Sequence, residues 1–295
     1  MAADVISPCG IAEGWRDYEI IATGGGEKLE RWGDLILLRP DPQAIWAPPF
    51  ILKDYKGINA RYVRSKSGGG RWEYKGGVPE EFVIGRKDLK FLCKLMGFKH
   101  TGLFPEQAYN WDVMRSLIEG AGRQIKVLNL FAYTGGATVA CAKSGAHVTH
   151  VDAAKAMVER AKRNAELSGV ARENTRYIID DCAAFVAREL RRGNSYDAII
   201  MDPPSYGRGP KGEIWRTEDD LFAFVKNAAR LLSEKPLFVL INSYTTGLQP
   251  TVMANILSLT MPGGAEVSAY ELALPTRDER VLLPCGCSAL ASWRN

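Results

Sequence analysis

At 295 residues, 46% of them hydrophobic, the chain has material for one large core and a smaller companion, which excludes a peptide-sized or disordered protein. A formal net charge of +4 permits a nucleic-acid partner without requiring one. No apolar run reaches the roughly eighteen residues of a membrane span, and MAADVISPCG lacks the basic and apolar regions of a signal peptide, so a cytoplasmic protein with no membrane partner is expected.

From about Tyr18 to Ile84 the chain reads as short β-type runs (YEIIA, DLILLRP, ARYVRS, RWEYK, EFVIG) punctuated by Gly, Pro and Asp, which predicts a small β-rich domain over 1–95. Within it, RYVRSKSGGGRWEYKGG interleaves Arg61, Arg64, Lys66, Arg71 and Lys75 with Tyr62, Trp72 and Tyr74 around Gly68 to Gly70. Such a hairpin either grips RNA phosphates and stacks bases, or packs its aromatics inward at alternate positions. Residues 87–98 read as briefly helical. Pro105 then suits a first helical turn continued by Asn110 to Glu119.

A second domain is expected over 96–295. VLNLF reads as a buried strand running into the paired glycines of AYTGG and a helix. HVTHVD, a long amphipathic helix closed by Gly169, RYII, AAFVARELRRG, YDAIIMD, TEDDLFAFVKNAARLL, LFVLIN and TVMANILSLT continue the alternation. That rhythm predicts a mostly parallel sheet covered on both faces. EVSAYELAL and RVLLPCGCSALASW break it and pair as a terminal antiparallel hairpin.

Ligands of open parallel sheets sit beyond the carboxyl ends of the strands. Those ends are marked by Phe131-Ala132-Tyr133-Thr134-Gly135-Gly136, by Asp152, by Asp180-Asp181 and by Asp202-Pro203-Pro204-Ser205-Tyr206. An acid roughly twenty residues past the first turn can accept ribose hydroxyls, which Asp152 fits, and Asp181 can accept an adenine amine. Taken singly, each is equally well a helix cap. The turn lacks the Gly-x-Gly-x-x-Gly pattern: Phe131 and Tyr133 stand where a dinucleotide site has glycines, obstructing approach to a pyrophosphate. A ligand without phosphates fits better, and S-adenosylmethionine is one.

Residues from about Thr101 to Trp293 resemble a class I S-adenosylmethionine-dependent methyltransferase, specifically the bacterial large-subunit ribosomal RNA family that modifies cytosine carbon 5 or guanine nitrogen 7. VLNLFAYTGG, HVDAAKAMVERAKRN, DDCAAF and DPPSYG match its motifs in order. The resemblance implies a Rossmann-like domain with a seven-stranded sheet, preceded by the β-rich domain. It implies that Phe131, Tyr133, Thr134 and Gly135, flanked by Asn129 and Ala132, wrap the methionine end of the cofactor. Asp152 with Ala153 would hold ribose, and Asp181 with Asp180 and Cys182 the adenine. TGLFPEQAYN would be a lid placing Phe104, Gln107 and Asn110 at the pocket, although Ala108 replaces the Arg many relatives carry there.

The resemblance leaves carbon and nitrogen targets to be decided. Carbon 5 of cytosine needs a Cys thiolate on the neighbouring ring atom. Relatives carry that Cys after the fifth strand, where this chain has Asn242-Ser243-Tyr244-Thr245. The six cysteines are scattered without a Cys-x-x-Cys pair, which predicts reduced, mostly buried thiols and no metal, and Cys285 and Cys287 read as packing residues. Asp202 and Pro203 suit a planar nitrogen, with Tyr206 stacking on a flipped base and Asp202 also bordering the cofactor. Arg208, Lys211 and Arg216 follow on a Gly/Pro-rich loop that is either phosphate-gripping or merely solvated. The reading is a methyltransferase acting on RNA, most simply ribosomal RNA, and compatible with a homodimer. Its rivals are methylation of a protein amide or small molecule, and a non-catalytic RNA-binding factor that keeps the cofactor fold.

Overall fold

A computed structural model describes residues 9–65, 69–208 and 214–294. The chain forms two compact units, Met1–Tyr109 with Ala273–Cys285, and Asn110–Leu272 with Gly286–Asn295.

The first unit opens on a short strand, β1 (Cys9–Ile11). A five-stranded sheet follows in sequential order: β2 (Tyr18–Gly24), β3 (Glu27–Trp32), β4 (Leu35–Pro40), β5 (Ile58–Arg64) and β6 (Gly70–Tyr74). Its pairs are antiparallel except β4 with β5. Ile21, Leu29, Leu38, Leu52 and Ile58 fill one core beside it. β3 escapes a hydrophobic reading because EKLERW turns Glu30 inward. That carboxylate is fully buried and accepts Arg39 Nε at 2.6 Å, Arg39 Nη2 at 2.7 Å and the Tyr18 hydroxyl at 2.7 Å. Burial alone would raise its pKa, but Arg39 and Lys28 hold it at about 2.

The expected helix over 87–98 is instead a strand. β8 (Leu89–Cys93) pairs antiparallel with β7 (Phe82–Arg86) across a tight turn in which Lys87 takes φ +51°. Leu89 and Phe91 are buried on either side of exposed Lys90, a period of two that a short LKFLC run conceals. In the β5–β6 hairpin Tyr62 is directly opposite Trp72, buried and edge-on to it at 5.4 Å, so this pair packs inward. Arg64, Tyr74 and Lys75 remain exposed, while Lys66 and Gly68 lie outside the described residues.

The second unit carries the expected alternation. α1 (Ala108–Gly120) leads into β9 (Lys126–Leu130), α2 (Gly136–Lys143), β10 (His147–Asp152), α3 (Lys155–Leu167), β11 (Thr175–Ile179), α4 (Cys182–Arg192) and β12 (Ala198–Met201). A small hairpin, β13 (Tyr206–Arg208) with β14 (Ile214–Arg216), precedes α5 (Thr217–Ala229), β15 (Phe238–Ser243), α6 (Pro250–Thr260), β16 (Glu266–Pro275) and β17 (Leu282–Ser292). The sheet order is β16-β17-β15-β12-β9-β10-β11, with β1 as an eighth strand beside β16. β9, β10, β11, β12 and β15 run parallel, and β17 returns antiparallel to β15.

Leu128, Leu130, Ile199, Met201, Val239 and Ile241 meet Phe185, Leu221, Phe224, Val225, Met253 and Leu257 of α4, α5 and α6 on one face. Alternate strand residues meet α2, as Asn129 and His150 both do through Thr138. Among the described residues no helix is long and apolar enough to cross a membrane, and no cluster of potential ligands could hold a metal.

Candidate active site

The chain reverses its direction of travel across the sheet between β9 and β12, which makes the carboxyl ends of those strands the switch point. Leu130 lies opposite both Met201 of β12 and Val151 of β10. Phe131, Asp152 and Asp202 therefore leave the sheet side by side.

The turn after β9 has an unusual backbone. Phe131 (φ +56°), Tyr133 (φ +51°) and Gly135 (φ +82°) all adopt left-handed conformations. The two bulky residues thus keep a conformation that favours glycine, and such strain on non-glycine residues concentrates at ligand sites. Contacts around the turn hold it there. The Tyr133 N–H donates to Asp152 Oδ2 at 2.8 Å, the Phe131 N–H to Cys182 Sγ at 3.2 Å, and Ala132 N–H to the Val151 carbonyl at 3.0 Å. Thr134 is buried and its carbonyl accepts Asn164 Nδ2 at 2.8 Å. A Cβ on Gly135 would lie 2.8 Å from that of Ala161, so this glycine also sets how closely α2 approaches α3. The Phe131 ring is turned into a cluster with Trp215 at 5.4 Å and Phe224 at 5.3 Å.

Asp152 accepts one N–H on each oxygen, from Tyr133 and, at 2.8 Å, from Ala154, which leaves a second lone pair on each. Burial pushes its pKa up against those two bonds. Ala153 beside it is exposed. Asp180 pairs with Arg188, whereas Asp181 caps α4 by accepting the Ala184 N–H at 2.8 Å. The helix-cap alternative is therefore realised for Asp181, with its other oxygen outside that bond.

Three residues expected at the cofactor surface have their side chains committed to the scaffold. Asn129 is buried and donates to Thr138 Oγ1 at 2.9 Å. Cys182 lies beneath the turn, its thiol pushed up by burial. Asn110 is fully buried: its amide donates to Asn242 Oδ1 at 3.0 Å and Ser288 Oγ at 2.9 Å, and accepts the Tyr270 hydroxyl at 2.7 Å. Both amide hydrogens thereby fasten α1 to the end of β15 and to β17. Phe104, half-buried, and Gln107, buried, belong to the first unit, Phe104 just before and Gln107 at the end of a one-turn 3-10 helix (Pro105–Gln107) that runs directly into α1. Ala108 is fully buried.

After β12, Asp202 is half-buried, Pro203 buried and Tyr206 51% exposed. The Pro204 carbonyl accepts both Trp215 Nε1 and Thr217 Oγ1, each at 2.8 Å. Neither residue stood out in the sequence, because the β13–β14 hairpin that carries Trp215 back to the turn is made of three-residue strands with weak patterning. Lys211 lies outside the described residues, and Arg216 is exposed.

A family model described as S-adenosylmethionine-dependent methyltransferase matches residues 56–249. The chain belongs to that family. A solved S-adenosylmethionine-dependent methyltransferase from Agrobacterium tumefaciens superposes on this one with TM-score 0.90 and 33% identity, covering 97% of this chain and 93% of that one. Ribosomal RNA large subunit methyltransferase K of Neisseria meningitidis is 27% identical over 78% of this chain and 69% of its own length. The K/L enzyme of Magnetococcus marinus is 28% identical over 65% of this chain, which spans only 25% of that longer protein.

S-adenosylmethionine is the cofactor of this methyltransferase, and the residues present fit it. The turn offers strained main chain rather than a phosphate cradle, and Asp152 is a desolvated carboxylate with acceptor capacity remaining. Of the described thiols in the second unit, Cys141, Cys182 and Cys287 are all buried with raised pKa values, Cys287 at about 11 while donating to the Leu248 carbonyl. None is poised as a thiolate.

Proposed function

We propose that this methyltransferase modifies a base nitrogen of ribosomal RNA in the cytoplasm. The observation that carries the reading is the adjacency of Met201 and Leu130, which sets the Asp202-Pro203-Pro204 turn beside the cofactor turn at the switch point. The names of the K and K/L relatives support the choice of RNA.

S-adenosylmethionine supplies a methyl group on a sulfonium that becomes neutral when the methyl leaves. The main chain of Phe131, Tyr133, Thr134 and Gly135 holds its methionine end, Asp152 accepts the ribose hydroxyls, and the free oxygen of Asp181 accepts the adenine amine. Asn110, Asn129 and Cys182 support that surface from beneath. Ala132, Ala153 and Asp180 complete its borders. With the Pro204 carbonyl filled, Asp202 and the Pro203 carbonyl receive the N–H groups of the planar acceptor. Those two acceptors would orient the planar nitrogen toward the donated methyl, and near-attack placement would supply most of the acceleration. The half-exposed Tyr206 ring stacks on the flipped base.

Nitrogen is favoured over carbon because carbon 5 requires a thiolate, and the end of β15 carries Asn242, whose oxygen accepts Asn110 and Ser288. The first unit's exposed Arg64, Tyr74 and Lys75 contact the RNA backbone and an unpaired base.

The deciding experiment compares methylated nucleosides in ribosomal RNA from cells with and without the gene by mass spectrometry. One N-methylated nucleoside should disappear on deletion and return with the wild-type gene but not with Asp202→Ala. An unchanged nucleoside profile would remove ribosomal RNA as the substrate.

A further inference from the structure

The bond pattern around Pro204 assigns a role to residues outside the methyltransferase motifs. Its carbonyl is saturated: the Trp215 indole N–H and the Thr217 hydroxyl both donate to it at 2.8 Å, and the indole N–H also lies 3.2 Å from Thr217 Oγ1. The following residues are tied as firmly. Thr217 N–H donates to the Ser205 carbonyl at 3.2 Å, Thr245 Oγ1 to Ser205 Oγ at 2.8 Å, and Tyr206 pairs with Arg216 in the β13–β14 ladder. Thr217 opens α5 and is buried, so the anchor is a rigid helix rather than a loop.

The indole ring of Trp215 faces a second turn at the same time. It packs against Phe131 at 5.4 Å and edge-on to Phe224 at 5.5 Å, while Phe131 itself packs on Phe224 at 5.3 Å. Phe131 is the first left-handed residue of the cofactor turn. One side chain thus bonds the acceptor turn through its N–H and packs on the cofactor turn through its ring.

We propose that Trp215 and Thr217 are positioning residues that latch the Asp202-Pro203-Pro204 turn at a fixed separation from the Phe131 turn. They touch neither methyl donor nor acceptor in this role. It has catalytic meaning only if Asp202 and Pro203 hold the acceptor, as proposed above. Near-attack geometry tolerates little slack, and a misplacement of about 1 Å can cost roughly a hundredfold in rate.

The test uses the full chain, with ribosomal RNA from gene-deleted cells as acceptor. Thr217→Val removes one donor while keeping the β-branched shape, Thr217→Ser restores it, and Trp215→Phe removes the other while keeping a ring beside Phe131. Both Thr217→Val and Trp215→Phe should lower kcat by about tenfold or more. S-adenosylmethionine affinity and RNA KM should stay within about threefold of wild type. Thr217→Ser should regain wild-type kcat. Hydrogen exchange of the 205–207 amides should quicken about tenfold in the two weakened variants, with thermal midpoint unchanged.

Wild-type kcat in both weakened variants overturns the latch, as does a kcat loss that Thr217→Ser does not reverse. Should Thr217→Val fail to fold, Trp215→Phe decides alone by the same criteria. Should the wild-type protein leave the RNA unmethylated, the substrate reading fails separately. The latch is then judged by exchange at 205–207, where no acceleration in either variant overturns it.

Discussion

Asp152→Asn separates the two things Asp152 does. The carboxylate clips the turn by accepting Tyr133 and Ala154 N–H groups at 2.8 Å each, and in the proposed site it also receives two ribose hydroxyls. Asparagine keeps one oxygen and presents an NH2 group where the other stood. It therefore loses at least one charge-assisted acceptor toward ribose, worth about 1.5–3 kcal/mol, or roughly a ten- to hundredfold weaker Kd for S-adenosylmethionine. Stability should move much less. Burial already raises the Asp152 pKa, so ionised Asp152 opposes folding at neutral pH; removing its charge offsets the lost turn bond of about 1 kcal/mol. Isothermal titration with S-adenosylmethionine, alongside urea melts of both proteins at pH 7, measures the two effects. An unchanged Kd with a clear loss of stability would show that Asp152 is only a turn clip.

In the first unit, Glu30→Gln leaves Arg39 buried without its counter-charge and should cost about 3–5 kcal/mol in a urea melt, more than a Glu30→Met/Arg39→Met pair. Equal costs would mean the ion pair contributes nothing specific. His150 is fully buried, and burial lowers its pKa from 6.5 to about 3. The unfolded chain therefore binds a proton between those values that the folded chain refuses. Stability is present above pH 6.5 and falls toward pH 3, by up to about 1.4 kcal/mol per pH unit. Chemical melts at pH 7, 6 and 5 should lose that slope in His150→Asn, and an identical slope in the variant would refute the attribution. Gly135→Ala puts a Cβ at φ +82° and 2.8 Å from the Ala161 Cβ. It should lower stability by about 2 kcal/mol and weaken cofactor binding, with a wild-type melting midpoint as the contrary result.

The second unit was legible because short apolar strands, of which β12 (AIIM) and β15 (FVLINS) are the clearest, alternate with longer helical stretches, so element type and order follow from that rhythm. The strand-end acids could be placed for the same reason. The side-chain directions behind them could not: Asn110, Asn129 and Cys182 sit at motif positions, yet their polar atoms turn to Ser288, Thr138 and the Phe131 N–H. Phe131 was read as an obstruction to phosphate, whereas its ring lies in an aromatic cluster and its strained main chain forms the turn. In the first unit, β3 hides behind the buried ion pair of Glu30, and β8 hides in a run too short to reveal its period. Local pattern reports burial by apolar groups, and these elements depend on charge pairing or on a turn.

The first unit is not a continuous stretch of chain. Ala12 N–H donates to the Ala273 carbonyl at 3.0 Å, Arg277 N–H to the Ile20 carbonyl at 3.0 Å, and the Arg277 guanidinium embraces Glu19. On the ribosome, β2 and its neighbours emerge long before these partners and must wait for more than half the polypeptide to be made. Excision at the unit boundary near residue 109 would strip the β-rich unit of Ala273–Cys285. A fragment expressed to map RNA contacts must therefore carry that late segment, grafted by a short connector or supplied in trans.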